Sequence, residues 1–285
     1  MEERIDFVIA YVDSNDSVWK QTYLDYCIKH NQRIKIVEMN TIRFVDNLCL
    51  LPYQLKLINK NMPFIRNIYL LLSNIEQTPK DLPSNVIVVL HKDFIPYKFL
   101  PTFNSTTIEM FLWNIPNLSE RFIYANDDML PIRELKETDF FNKDKVKIDF
   151  LKLNIKDENT EYRCQCLNSY NNVLKKLGFN FDNENFVAPV HSFTPMIKSH
   201  CIETYKLLEK EITHNVSAFR NYYNYNQYIF PIYEHYKYGT LSSEIDFLYT
   251  QLKEDIDMEH DIICFNIVPN NKVYALKGEL EELCK

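Results

Sequence analysis

An α/β fold is predicted: a Rossmann-like, mostly parallel sheet flanked by helices, with an α-rich C-terminal half. Three observations predict it. Four near-continuous apolar runs stand in the first half of the chain, helix-compatible stretches lie between them, and after about residue 145 the pattern turns helical. Strands that are apolar along their whole length suit a parallel sheet, whose crossover helices cover both faces.

The first run, IDFVIAYV at 5–12, is rich in β-branched residues and passes into the turn-forming DSND. IRNIYLLLS at 65–73, NVIVVLH at 85–91 and RFIYAND at 121–127 follow. Helical stretches are expected near 46–60 and 105–114. Beyond 145 come a further strand in KIDFLKLN, helices near 165–177 and 197–212, and the aromatic, Asn-rich segment FRNYYNYNQYIFPIYEHYKYG at 219–239. The expected organisation is one catalytic domain over 1–285, with an α/β part at 1–145 and an α-rich part at 146–285 completing a cleft.

Composition narrows the function. With 285 residues, 46% hydrophobic and 14% aromatic, the chain can bury a sizeable core. Its net charge of -7 gives no global field to gather nucleic acid, so none is expected as a partner. Three glycines leave no G-x-G-x-x-G fingerprint and no P-loop. The seven cysteines are odd in number and lack zinc-ribbon spacing; only Cys164 and Cys166 are close, and reduced thiols are expected. MEERIDFVIAYV lacks a basic n-region and a cleavage site, and no apolar stretch approaches the roughly 20 residues of a membrane span. A cytoplasmic location is expected, with peripheral membrane association left open.

Candidate chemistry gathers at four places. Asp13 and Asp16 follow the first strand, where open α/β sheets bind ligands beyond their carboxyl ends; the segment by itself favours a turn capping the next helix. Asn126, Asp127 and Asp128 end the fourth run, and two adjacent carboxylates there supply hard oxygen ligands for Mg2+ or Mn2+, or form a solvated turn. Asn104 or Ser105 caps a helix carrying Ile108, Phe111, Leu112 and Ile115 on its apolar face, and its N-terminus suits phosphate. Ser105 and Glu109 have nearly the spacing of a capping box. His191 can accept a hydroxyl proton, its unperturbed pKa of about 6.5 suiting a base, and Arg220 can clamp phosphate oxygens, although a lone His or Arg is commonly structural.

Taken in order, these segments resemble the Stealth family, hexose-1-phosphoryltransferases of bacterial capsule synthesis related to the lysosomal-enzyme N-acetylglucosamine-1-phosphotransferase of animals. IDFVIAYVDSND resembles the first family block. IRFVDN, MPFIRNIYLLLSNIEQTP and LPTFNSTTIEMFLWNIPNLSERFIYANDDM, over roughly 42–135, resemble the second. HSFTPMIKS with AFRNYY resembles the third, and IICFNIVPNN at 262–271 the fourth. The chain departs from the family at Ser14 and Asn15, where Gly-Ser is usual, at Lys56, where Arg is common, and at Ile267, where Asp is usual.

The resemblance implies transfer of a sugar together with its phosphate from a nucleotide-diphosphate sugar, a UDP-sugar first among them, to a glycan hydroxyl, with a nucleoside monophosphate leaving. It implies catalytic roles for His191, Arg220, Asp13 and Asp127, substrate contacts at Asp16, Lys56, Asn104, Ser105 and Asn126, and Mg2+ or Mn2+ on Asp127 and Asp128. Two other readings stand beside it. One is a metal-dependent glycosyltransferase releasing a nucleoside diphosphate; the other is a non-catalytic carbohydrate-binding protein whose tyrosines at 222–238 stack on sugars.

Overall fold

A computed structural model describes residues 4–38, 49–157, 160–250, 257–266 and 270–285. The predicted helix start at 46, the IRFVDN segment and the family departure at Ile267 lie outside the described residues.

The predicted runs are strands: β1 (Ile5–Ala10), β2 (Ile65–Leu72), β3 (Val86–Leu90) and β4 (Arg121–Asn126). The helices of this part that bear on the site are α1 (Ser17–Lys29), α2 (Leu51–Asn61) and the short α3 (Ser105–Glu109). Then come β5 (Met129–Pro131), β6 (Phe150–Asn154), α4 (Glu161–Leu177), β7 (Asn185–Pro189) and β8 (Thr194–Ile197). The remaining elements are α5 (Lys198–Asn215), α6 (Ile229–Lys237), β9 (Phe247–Thr250), β10 (Ile262–Phe265) and α7 (Asn270–Leu283).

The central sheet has the order β8-β4-β1-β2-β3, with β4, β1, β2 and β3 parallel and β8 antiparallel at the edge. Three smaller sheets accompany it among the described residues: β9-β10-β5, the pair β6-β7, and a short hairpin of Phe141–Asn142 with Lys145–Val146. The 146–285 part therefore gives strand β8 to the central sheet and β10 as the partner of β5.

Both faces of the central sheet are covered, as near-continuous apolar strands require. Val8, Tyr69, Leu71, Phe122 and Tyr124 turn to one core, shared with Val173 of α4, Leu208 of α5 and Ile232 of α6. Phe7, Ile9, Leu70 and Ile123 turn to the other, against Leu55 and Ile58 of α2. The period-2 alternation of a strand divides the two sets.

Local signals place the helix ends. Pro52 sits in the first turn of α2, where a missing N–H leaves nothing unsatisfied. Thr160 caps α4, and Gly178 ends it at φ 78, a left-handed position that accepts few side chains. With so few glycines, Asn31, Asp81 and Asn117 take other positive-φ positions, which their short polar side chains tolerate.

The helix predicted over 105–114 is shorter than expected. α3 stops at Glu109 and a separate 3-10 turn forms at Leu112–Asn114, yet Ile108, Phe111, Leu112 and Ile115 are all buried. Burial, rather than one continuous helix, is what the apolar spacing recorded.

The buried Asp6 at the start of β1 is paired across the strands. Arg66 Nε donates to it at 2.8 Å and the backbone N–H of Ser119 donates at 2.8 Å. Arg66→Ala leaves that carboxylate short of its charged donor and is expected to lower the unfolding free energy by about 1.5–3 kcal/mol, read by urea denaturation. A loss within about 0.5 kcal/mol, the range of ordinary surface changes, would show that water replaces the guanidinium without penalty.

Candidate active site

The strand order defines where a site can form. From β1 the chain runs outward through β2 and β3, then crosses back to place β4 on the other side of β1. This is a topological switch point, and a crevice opens beyond the carboxyl ends of the strands there. Ala10 pairs with Asn126 in register, so the two acidic turns, far apart along the chain, leave adjacent strands at one end of the sheet.

A cleft of about 1330 Å3 occupies this end. It is lined by Ser105, Asn126, Asp127, Asp128, His191 and Arg220, together with Glu109 and Asn266. Six of the residues singled out in the sequence thus meet in one cavity. Four do not line it. Lys56 is exposed on α2, where its charge acts on Cys284 of the C-terminal segment rather than on the cleft. Asp16 caps α1, accepting from Val18 N at 3.3 Å and Trp19 N at 2.7 Å, and also accepts from Asn74 Nδ2 at 3.1 Å. Asn104 is buried: its oxygen accepts from Thr106 N at 3.1 Å, and its amide donates to Ser217 O at 3.2 Å and Asn224 Oδ1 at 3.0 Å. Its contacts clip α3 to the 217–224 loop. Asp13 stands between Val12 and Ser14, which do line the cleft, and its carboxylate accepts from Asn15 N at 2.8 Å.

Arg220 is the cation at the centre. Its Nη2 donates to Ser105 Oγ, and its Nε is buried with no acceptor among the described residues. A buried guanidinium N–H without an acceptor favours a ligand oxygen. Behind it lies Glu109, fully buried, which accepts Gln227 N at 3.0 Å and Tyr124 Oη at 3.3 Å. Burial raises the Glu109 pKa, and the charge of Arg220 opposes that rise. Glu109 is not a capping-box residue: its carboxylate faces the arginine side of the cleft. Nothing in the sequence marks it, because Ser105 and Glu109 stand four apart as a cap pair nearly would.

His191 lies between two tyrosine rings set close to perpendicular to it, with Tyr162 at 5.7 Å and Tyr249 at 5.9 Å between ring centroids. Its Nδ1 meets Tyr228 Oη at 3.0 Å, and Tyr228 Oη meets Tyr162 Oη at 2.9 Å. Burial, and then the charge of Arg220, lowers its pKa to about 4, so the unperturbed value of about 6.5 expected for it does not apply. The imidazole is neutral at pH 7. With Nδ1 engaged by the Tyr228 hydroxyl, Nε2 is the nitrogen left for a ligand.

The Tyr-rich segment is mostly interior. Tyr225, Tyr228 and Tyr233 are buried, while Tyr222 and Tyr223 are 52% and 80% exposed. Stacking of sugars along the whole of 222–238 is therefore excluded by burial.

Asp128 is half-buried, and its Oδ1 is buried with no partner among the described residues. Burial raises its pKa to about 6, opposed by a hydrogen bond from the Cys264 thiol. Phe265 N donates to the Asp128 carbonyl at 2.9 Å, so β10 holds this turn in place, and Gln54 of α2 donates to the carbonyls of Asn126 and Met129 at 2.8 and 2.7 Å. No group of three or more His, Cys, Asp or Glu among the described residues forms a metal cage. Magnesium takes one or two carboxylates and completes its shell with water and phosphate oxygens, and the donor set of Asp127 and the orphaned Asp128 oxygen fits that class. Cys164 and Cys166 are not a metal pair: Cys166 is buried and Cys164 is not, as positions two apart on α4 require, and all seven cysteines are free of disulfides.

A sequence profile described as Stealth protein CR2, conserved region 2, matches residues 43–149, which contain β2, β3, α3, β4 and the Asn126–Asp128 turn. A capsular polysaccharide phosphotransferase of Actinobacillus pleuropneumoniae is 30% identical over 268 residues, 87% of this chain and 70% of that protein. The chain belongs to the Stealth family. Another capsular polysaccharide phosphotransferase, of Actinobacillus suis, is 33% identical to this Stealth chain over 225 residues, 73% of the chain and 57% of the relative. An exopolysaccharide phosphotransferase of Lactiplantibacillus plantarum is 38% identical over 148 residues, 51% of the chain and 41% of the relative. The Stealth chain thus spans a little over half the length of the Actinobacillus suis protein. No helix among its described residues is long and apolar enough to cross a membrane.

Proposed function

We propose that the chain is a sugar-1-phosphate transferase of cell-surface polysaccharide synthesis, moving a hexose 1-phosphate from a nucleotide-diphosphate sugar to a glycan hydroxyl. The carrying observation is the convergence of Arg220, with its buried unpartnered Nε, and neutral His191 on the Asn126–Asp128 turn at the switch point. The phosphotransferase names of its relatives support the reaction class.

In this reading the acceptor oxygen attacks the sugar-bearing phosphorus while the bridging P–O bond breaks and the nucleoside monophosphate leaves. Arg220 clamps oxygens of the transferring phosphate, Ser105 Oγ accepts from its guanidinium, and the buried Glu109 acts on its charge from behind. His191 Nε2 takes the hydroxyl proton. Tyr228 keeps the ring in orientation through Nδ1. Asp127 and Asp128 would hold Mg2+ or Mn2+, which supplies charge neutralisation on the diphosphate.

Incubation with UDP-, CDP- and GDP-sugars in the presence of Mg2+ or Mn2+, with the released nucleotide read by mass, tests the reaction. A nucleoside monophosphate is expected; a nucleoside diphosphate would mean glycosyl transfer. Asp127→Asn keeps the side-chain shape, weakens a hard-cation site, and is expected to abolish turnover with the fold intact. Unchanged activity with unchanged metal dependence would remove Asp127 from the mechanism.

A further inference from the structure

We propose that the cleft wall made by Leu151, Tyr162 and Tyr249 is the subsite for the pyranose ring of the acceptor glycan, with Tyr249 as its stacking platform. The inference rests on the functional reading above and names where the second substrate lies.

Three observations carry it. Leu151, Tyr162 and Tyr249 remain 50%, 37% and 46% exposed although they line the cleft. Apolar surface left open inside a concave site, rather than scattered on the outside, is surface that a ligand covers. Next, both tyrosine rings stand close to perpendicular to the His191 ring, at centroid distances of 5.7 and 5.9 Å, so a sugar held at Tyr249 lies within one ring's reach of the imidazole. Finally, carboxylates flank the apolar wall. Asp149 and Glu161 also line the cleft, and Asp149 is held by Ser242 Oγ at 2.7 Å and Ser243 N at 3.1 Å.

A pyranose has an apolar C–H face and a rim of hydroxyls. The first matches an aromatic face and the second matches carboxylate acceptors. Asp149 and Glu161 outnumber Arg163, the cation that lines the cleft beside them, and this net acidic wall contrasts with the Arg220 side, where the donor diphosphate belongs. The wall also comes from β6, β9 and the start of α4, and not from the carboxyl ends of the parallel strands. Donor and acceptor then meet at His191 from different elements of the fold.

Saturation-transfer NMR with the methyl β-glycosides of glucose, galactose, N-acetylglucosamine and N-acetylgalactosamine tests the subsite, with UMP, CMP and GMP titrated in parallel. The wild type is expected to transfer saturation to the C–H face of at least one glycoside. Tyr249→Ala should weaken that binding about tenfold, the worth of one aromatic contact, with nucleotide affinity and thermal midpoint unchanged, and Tyr249→Phe should retain it. Glycoside binding that survives Tyr249→Ala overturns the proposal, as does wild-type protein that binds none of the four. Loss of nucleotide affinity in Tyr249→Ala also overturns it, by putting a nucleobase on the ring. The functional reading fails on a different result, a nucleoside diphosphate product, which this binding experiment does not read.

Discussion

Arg220→Lys is expected to lower kcat/KM by about 10²–10³-fold, the usual cost of removing one preorganised donor from developing charge. The lysine keeps the charge but has neither the planar fork nor a nitrogen at the Nε position, where Arg220 presents a buried N–H with no acceptor. It also leaves Ser105 Oγ without its guanidinium donor. Steady-state kinetics with a turned-over donor, accompanied by urea denaturation to confirm folding, measures the effect. Near-normal kinetics in a folded lysine variant would sink the two-pronged phosphate contact.

His191→Ala is expected to reduce kcat by about 100-fold or more, with donor affinity little changed, as for a positioned base. The pH dependence is more telling. The free enzyme protonates His191 only near pH 4, so the His191 bend in kcat/KM lies near pH 4 and activity is lost as pH falls through it. Log kcat/KM therefore falls with the His191 proton below about pH 4, and His191→Gln removes this lower bend. Bound diphosphate offsets the charge of Arg220, one of the two causes holding the His191 pKa down. The His191 bend in kcat should then lie at higher pH than in kcat/KM. Coincident bends in the two profiles, or an unaltered lower bend in His191→Gln, would assign His191 to positioning and leave the base to be found elsewhere.

Much of the central sheet was legible because each strand is apolar from end to end and stops at a polar turn. Residues 5–12 and 121–127 announced both the strand and the ligand-side end of it. The meeting of those two ends was not legible, since it depends on β4 crossing back beside β1. His191 and Arg220 could be named but not joined: the contact that couples their charges is tertiary. Tyr228 could not be named at all, being one tyrosine in a run of them, and only burial separates it from the exposed Tyr223. Glu109 was hidden by looking like part of a cap. Lys56 misled in the opposite way, because matching a family position says nothing about which side of α2 faces the cleft.

The late strand β8 sets a condition on how the chain is made. About 70 residues separate Asn126, at the end of β4, from Ile197, at the end of β8. At translation rates of roughly 5–20 residues per second, on the order of 4–14 s pass before β8 emerges to pair with β4. Through that interval the nascent sheet presents the open edge of β4, with Phe122 and Tyr124 not yet covered by Met196 and the helices that bury them in the finished protein. An unpaired apolar edge is a template for association between chains. Polypeptides released before residue 194 are for that reason expected to associate through this edge, and holding the ribosome-bound chain apart from its neighbours matters most between the completion of β4 and the arrival of β8.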